Sequence, residues 1–286
     1  MNVYQIITEN IINEIETTKE IFWQRTWRLK APVNLSTGKF YKGANRILLK
    51  NGDYWITFNQ AKQKGLSIKK GAKSGIAIFY SPIEKIKEDE SEAEKEKLGF
   101  VLKYYRVFNE NAIDGDLSRF IPEIEPVNPD EEDKSIEKTL LNYIRKVGIA
   151  LEYGGNSASF YFEQNLITIP PKERFMSYRD YLCTLAHEAG HSTAKALNRK
   201  IDNEWGNTDY SFEELVAEFT ALFIAGKGKI KDNTPAYLKG WVSEFKDKPK
   251  MLVLAAGKAE KAANYIKGIE EKADVEIEMP QTAAVA

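Results

Sequence analysis

The chain contains two histidines, His187 and His191, four residues apart in the run His-Glu-Ala-Gly-His. Residues four apart on an α-helix share a face. Two imidazoles so spaced can bind one ion, and Glu188 projects beside them within reach of a water on that ion. This is the chemistry of H-E-x-x-H: two ligands and a general base. A bound zinc draws the pKa of its water towards neutrality, and the carboxylate takes the proton. A pair of histidines beside a chance glutamate is the trivial alternative. It is weakened because a chain that uses histidine nowhere else sets both at ligand spacing. The flanking Leu185, Ala186, Ala189 and Ala194 also suit a helix packed deep in a domain.

Catalytic zinc takes three protein ligands and leaves one position open. The chain has no third histidine and one cysteine, Cys183, so the remaining ligand is an acid. "SFEELVAEF" offers Glu214, 23 residues after His191, with Glu218 one turn further on. In this reading Glu214 binds the ion and Glu218 orients a ligand imidazole from behind. Glu213 competes for the ligand role, while Asp202, Glu204 and Asp209 fall in a loop. Zinc is the expected ion, although His-His-Glu donors also accept manganese, cobalt or nickel.

Several elements must position these groups. Ser177 caps the helix that carries the motif, and Ser211 with Glu214 fits a capping box for a helix over 212–225. Helices are also expected over 235–246 and 249–270. Ahead of the motif, "ALEY", "SFYFE" and "LITIP" read as short strands, with Pro170 and Pro171 ending the last. "LITIP" is expected along the cleft, where it pairs with an extended substrate. Ser135 caps a helix running to about Val147. At the N-terminus, Ile6, Ile7, Ile11, Ile12 and Ile15 recur at helical spacing, predicting an amphipathic helix over 2–20. "YWITFN", "GIAIFY" and "FVLKYYRVFN" read as strands, with a short helix at "QAKQKG". The charged run 84–97 reads as a solvated hairpin tip. Three prolines and a run of acids at 121–133 mark a domain boundary.

The 286 residues have a globular composition, with 43% apolar and 29% charged residues. A single cysteine fits a reducing compartment and a cytoplasmic protein. Cys183 itself reads as a small buried apolar residue. The N-terminus lacks the pattern of a signal peptide, and no apolar run is long enough to span a bilayer. No feature specifies an oligomer.

Net charge is −1, but its distribution is uneven. Residues 21–80 carry twelve lysines and arginines against one acid, Asp53. Aromatics are interleaved: Phe22, Trp23, Trp27, Phe40, Tyr41, Tyr54, Trp55 and Phe58, of which Trp55 and Phe58 are expected in the core. Basic side chains among stacking aromatics suit single-stranded nucleic acid, because every base has a π-face. Arg25, Trp27, Lys39, Tyr41, Lys42, Asn45, Arg46, Lys62, Lys69 and Lys70 are the candidate contacts.

Two sets of residues converge on one family. "NLSTGKFYKGANRILL", "YWITFNQAKQKGLSIKKGAKS" and "YRVFNENAIDG" resemble the N-terminal domain of ArdC-type antirestriction proteins. "SFYFEQNLITIP", "HEAGH" and "EELVAEF" resemble that family's zincin-like metallopeptidase domain. The resemblance runs over roughly residues 3–225. It implies an antirestriction protein of a plasmid or phage that binds and shields single-stranded DNA. It matches His187 and His191 to metal ligands, Glu188 to the catalytic base and Glu214 to the acidic third ligand. Tyr41, Gly43 and Asn45 match the signature of the DNA-binding domain. A host protein or peptide is the implied substrate of an active peptidase. The alternative is a metal-stabilised DNA-binding module without catalysis. The expected architecture is α+β. Residues 1–125 form a small mixed sheet and helix DNA-binding domain, and 126–133 an acidic, Pro-containing linker. Residues 134–270 form a zincin-like domain around the H-E-x-x-H helix, and 271–286 a flexible tail.

Overall fold

Helix α1 (Val3–Thr18) buries Ile7, Ile11, Ile12 and Ile15, the stripe its spacing predicts. The computed structural model describes residues 2–18, 31–49, 52–84, 97–121, 128–199, 208–226 and 235–270. The chain continues through β1 (Val33–Asn34), α2 (Asn45–Leu48), β2 (Tyr54–Ile56), α3 (Phe58–Gln63), β3 (Ser67–Ile68), β4 (Gly75–Glu84), β5 (Lys97–Asn109) and β6 (Ile113–Asp114). One sheet has the order β1-β2-β5-β4, and β3 pairs with β6. Thr57 and Gln60 form a reciprocal capping box that starts α3 directly after β2. The β4–β5 hairpin pairs from Gly75↔Val107 out to Glu84↔Lys97. The charged residues 85–96 thus join its two strands, and they lie outside the described residues, as does 271–286.

The second half begins with α4 (Pro129–Lys146), followed by β7 (Ala150–Tyr153), β8 (Ser159–Tyr161) and β9 (Leu166–Ile169). Four helices follow: α5 (Tyr178–Ser192), α6 (Thr208–Ala225), α7 (Pro235–Asp247) and α8 (Met251–Lys267). The linker expected at 126–133 is corrected. Asn128 accepts the Asp130 N–H and caps α4, Pro129 opens it, and Asp130, Glu131 and Glu132 fill its first turn. Proline tolerates that position because its missing N–H would lack a helical partner anyway, and acids there complement the helix dipole. Ser135 is therefore interior to the helix rather than its cap. Helix α6 likewise starts a turn before 212, so Ser211 lies within it.

The two halves expected to part at residue 125 pack together. The α1 isoleucines share one buried cluster with Leu140, Phe219, Trp241, Phe245 and Leu252. Thr8 Oγ1 donates to the Pro249 carbonyl at 3.0 Å. Helix α1 is covalently part of the first half but completes the core of the second. Ala44, Ile47, Ile78 and Leu102 extend the same cluster into the N-terminal sheet. No described helix is long and apolar enough to cross a membrane.

Candidate metal centre and nucleic-acid surface

Ser177 accepts the Asp180 N–H at 3.1 Å and starts α5 where the sequence predicts. From Tyr181 to Gly190 every residue of this helix is buried. Helix α6 crosses it closely at Gly190. A Cβ there would meet Ala217 Cα at 3.3 Å and Thr220 Cβ at 3.2 Å. The hydrogen side chain of Gly190 thus lets the acids of α6 reach the next residue, His191.

The result is a convergent cluster of His187, His191 and Glu214, whose donor atoms all lie within 4.8 Å of one another. His187 Nε2 and His191 Nε2 are 3.1 Å apart. The Glu214 carboxylate spans them, Oε2 at 3.5 Å from His187 Nε2 and Oε1 at 3.4 Å from His191 Nε2. Donors about 2.0–2.1 Å from a tetrahedral ion sit roughly 3.3 Å from each other, so these separations fit three ligands of one dication. Each Nδ1 faces a different acid: Glu218 Oε1 at 3.5 Å from His187 and Glu213 Oε1 at 3.4 Å from His191. These acids aim both Nε2 atoms inward. The His187 side chain is 3% exposed and that of Glu214 29%, so the cluster opens to solvent on the Glu214 side.

Charge balance favours a cation. Burial by itself lowers the pKa of His191, but Glu213, Glu214 and Glu188 outweigh it and push it up to about 10. Burial also opposes ionisation of Glu214, yet the two imidazoles hold its carboxyl well below the usual carboxylate range. Glu213 is buried and still favours its charged form because of Arg199 and His191. Among the described residues, Arg199 is the arginine tied into this group. Its Nε donates to Glu213 Oε2 at 2.9 Å and its Nη2 to Oε1 at 2.8 Å, while the remaining donors reach the Gly190 carbonyl and Thr193 Oγ1. Sequence reasoning missed Arg199. It comes into place because Asn198 adopts a left-handed conformation (φ 52°) that turns the chain back after α5.

The nucleic-acid candidates divide. Lys39, Lys42, Lys62, Lys69 and Lys70 are exposed. Arg25 and Trp27 lie outside the described residues. Tyr41 is buried in a cluster with Leu49, Trp55, Ala77 and Val107. Asn45 bridges to β4, donating to the Ile78 carbonyl at 2.8 Å and accepting its N–H at 2.7 Å. Arg46 is an internal contact: its guanidinium meets Glu260 at 3.3 Å and the Phe223 carbonyl at 3.2 Å, and lies over the Phe223 ring. The expectation that Tyr41, Asn45 and Arg46 face nucleic acid is therefore corrected, because tertiary partners occupy their polar atoms. Trp55 is in the core as expected, but Phe58 is 59% exposed. It sits one turn before Lys62 on the outer face of α3, while Gln60 and Ala61 point inward. Phe40 is also exposed, between Lys39 and Lys42.

Comparison with known proteins places both halves. Residues 1–108 match the N-terminal domain of the anti-restriction factor ArdC, and residues 138–258 match a zincin-like metallopeptidase domain. The metal-free crystal structure of the antirestriction ArdC protein from the R388 plasmid is 30% identical, with a TM-score of 0.71. The match covers 94% of this chain and 98% of that one. The chain belongs to the ArdC antirestriction family. The Mn(II)-bound structure of the R388 protein is similar to the same degree, with a TM-score of 0.71 at 28% identity. Two proteins of Escherichia coli described as DNA primase TraC are 27% and 26% identical over 94% of this chain. The chain spans only 20% and 27% of the length of these curated relatives.

Within this ArdC-type chain, the Tyr-x-Gly-x-Asn run has an architectural role. Tyr41 fills a core and Asn45 ties α2 to β4. Gly43, at φ 55°, gives its N–H to Glu260 Oε2 at 3.2 Å. Together with Arg46, this run clamps the N-terminal half onto α8 and onto the C-terminal end of α6, the helix that carries Glu213, Glu214 and Glu218.

Proposed function

We propose that this ArdC-family chain binds and shields single-stranded DNA through exposed residues of its N-terminal half. We also propose that it carries a metal-dependent peptidase centre at His187, His191 and Glu214, with Glu188 as base. The observation that carries the reading is the convergence of three donor atoms beside a buried acid, Glu188, which is 2% exposed. A buried carboxylate is costly, and its placement beside a metal-ligand cluster suits proton transfer.

Zinc is the proposed ion, and the Mn(II)-bound relative makes manganese its competitor. When bound, such a dication acidifies a coordinated water and polarises a carbonyl. The chain's own residues do the rest. Glu213 and Glu218 orient the imidazoles. The Glu188 carboxylate accepts a proton from water in the cleft and returns it to the leaving amine nitrogen. The expectation that "LITIP" pairs with a substrate is corrected, because β9 is the central strand, bonded to β7 on one side and β8 on the other. Strand β8 packs against α5 at the sheet edge and is the better place for an extended peptide to add. A host protein is the proposed source of that peptide.

The DNA surface uses Lys39, Lys42, Lys62, Lys69 and Lys70 with Phe40 and Phe58 as stacking platforms. Arg25 and Trp27 join the proposal on sequence grounds.

A gel shift with labelled single-stranded DNA at low salt tests the binding half. A complex that weakens steeply with salt is expected, because binding releases counterions from phosphates. Absence of a complex at micromolar protein defeats this half of the reading. For the metal half, Glu188→Gln is expected to retain the ion and lose cleavage of a peptide library. Equal cleavage by the variant and the wild type removes Glu188 from its role.

A further inference from the structure

A cleft of about 570 Å³ opens where the end of α4, the turn after α5 and the second half of α8 meet. Its walls carry Lys146, Lys258 and Lys261, and Glu270 is the one acid among its lining residues. Lys258, Lys261 and Tyr265 follow at three- and four-residue spacing, so they stand along one face of α8. All three are exposed. Among the described residues, neither Lys146 nor Lys258 makes an ion pair. Tyr265 packs edge-on against Tyr143, with ring centroids 5.9 Å apart, and is 42% exposed. Three ammonium groups and an accessible ring at one cleft match a phosphate with an attached base.

The cleft also borders the metal centre. Arg199 forms part of its wall, with its guanidinium committed to Glu213 behind His191. Tyr143 Oη lies 2.9 Å from Oγ of Ser192, the residue after His191. All of its lining residues come from the second half of the chain, so the cleft lies beside the metal centre.

We propose that this cleft is a phosphate-binding site that takes one nucleotide of a single strand, its phosphate among the three lysines and its base on Tyr265. The strand as source rests on the DNA-binding reading above; the phosphate chemistry of the cleft does not. A strand bound there runs past the metal centre rather than ending on the N-terminal half.

The test uses the full chain and two variants, Tyr265→Ala and the triple variant Lys146→Ala, Lys258→Ala, Lys261→Ala, with folding checked by circular dichroism. Anisotropy of a labelled oligothymidylate is read across a salt series, and melting is read with inorganic phosphate. The triple variant should bind the oligonucleotide more weakly, with a log–log salt slope flatter by about 0.7 for each phosphate that is no longer neutralised. Tyr265→Ala should weaken the oligonucleotide by roughly 5-fold or more and leave the response to phosphate intact. Phosphate should raise the melting temperature of the wild type and not of the triple variant. Unchanged affinity and slope in the triple variant, with equal phosphate responses, overturn the site. If the wild type binds no oligonucleotide, the DNA-binding reading fails. Phosphate stabilisation that depends on the lysines then still supports the phosphate site, while overturning the strand as its source.

Discussion

The metal centre and the basic N-terminal half were both marked by their residue patterns, yet they relate to those patterns in opposite ways. In the metal centre, the residues that form the pattern are the residues that meet in space. In the N-terminal half, the most distinctive residues, Tyr41, Gly43, Asn45 and Arg46, turn inward and hold the two halves together. The proposed binding chemistry falls to lysines and to exposed rings such as Phe58. The difference lies in what each pattern encodes. Four-residue spacing on a helix is itself a geometric statement. A local excess of positive charge is a statement about composition, and it does not say which cations face water.

Variants can sharpen or break this contrast. The largest effect is expected from Glu214→Ala. Its metal affinity should fall by more than the roughly 10–100-fold that an outer partner costs, while oligonucleotide binding by the N-terminal half persists. Metal analysis after dialysis, read beside an anisotropy curve, checks both. A parallel collapse of DNA binding would show that the two regions are not separable. Arg46→Ala comes next, because it removes the cation that faces Glu260 at a largely buried contact and leaves that carboxylate only the Gly43 N–H. A loss of about 3–5 kcal/mol is expected. Lys39→Ala, at an exposed position, should stay within about 0.5 kcal/mol of wild type. Denaturant unfolding separates them, and equal stabilities would place Arg46 at the surface after all.

Arg199→Gln should lower metal affinity about 10–100-fold, and Arg199→Lys should not restore it, since an ammonium cannot span both Glu213 oxygens. A competition titration with a chromophoric chelator reads this. Phe58→Ala should cost about 1–3 kcal/mol of single-strand affinity with little change in melting. The smallest effect concerns Lys267, whose ammonium donates to the Phe223 carbonyl beside Arg46. Burial first, then the repulsion of Arg46, lowers its pKa from 10.5 to about 8. Between these values the unfolded chain holds the proton that the folded chain has released, so stability should rise with pH across that window. Chemical denaturation from pH 7.5 to 10 should show a shallower rise in Lys267→Met.

Much of the fold was legible. The α1 stripe, the capping by Ser177, the three short strands and the α7 and α8 spans follow from periodicity and punctuation that act over a few residues. The errors also have local causes. Ser135 and Ser211 are acceptable caps, but Asn128-Pro129 offers a stronger start to α4, and α6 begins upstream of Ser211. Glu213 competed with Glu214 for the ligand role. Only the return of Arg199 assigns it to His191 Nδ1, and no spacing rule connects residues 199 and 213.

By itself, the sequence determined that one helix presents His187, Glu188 and His191 together, that an acid must complete any metal site, and that residues 21–80 form a basic, aromatic segment. Those properties need only helix geometry, the count of available donors and the sum of charges. Tertiary structure decided which acid faces the imidazoles and which orients them, because that depends on how closely α6 approaches Gly190. It also decided that Arg46 holds the halves together and that α1 completes the distant core. Those outcomes turn on which surfaces are buried against each other, and burial arises only when segments far apart in the chain pack together.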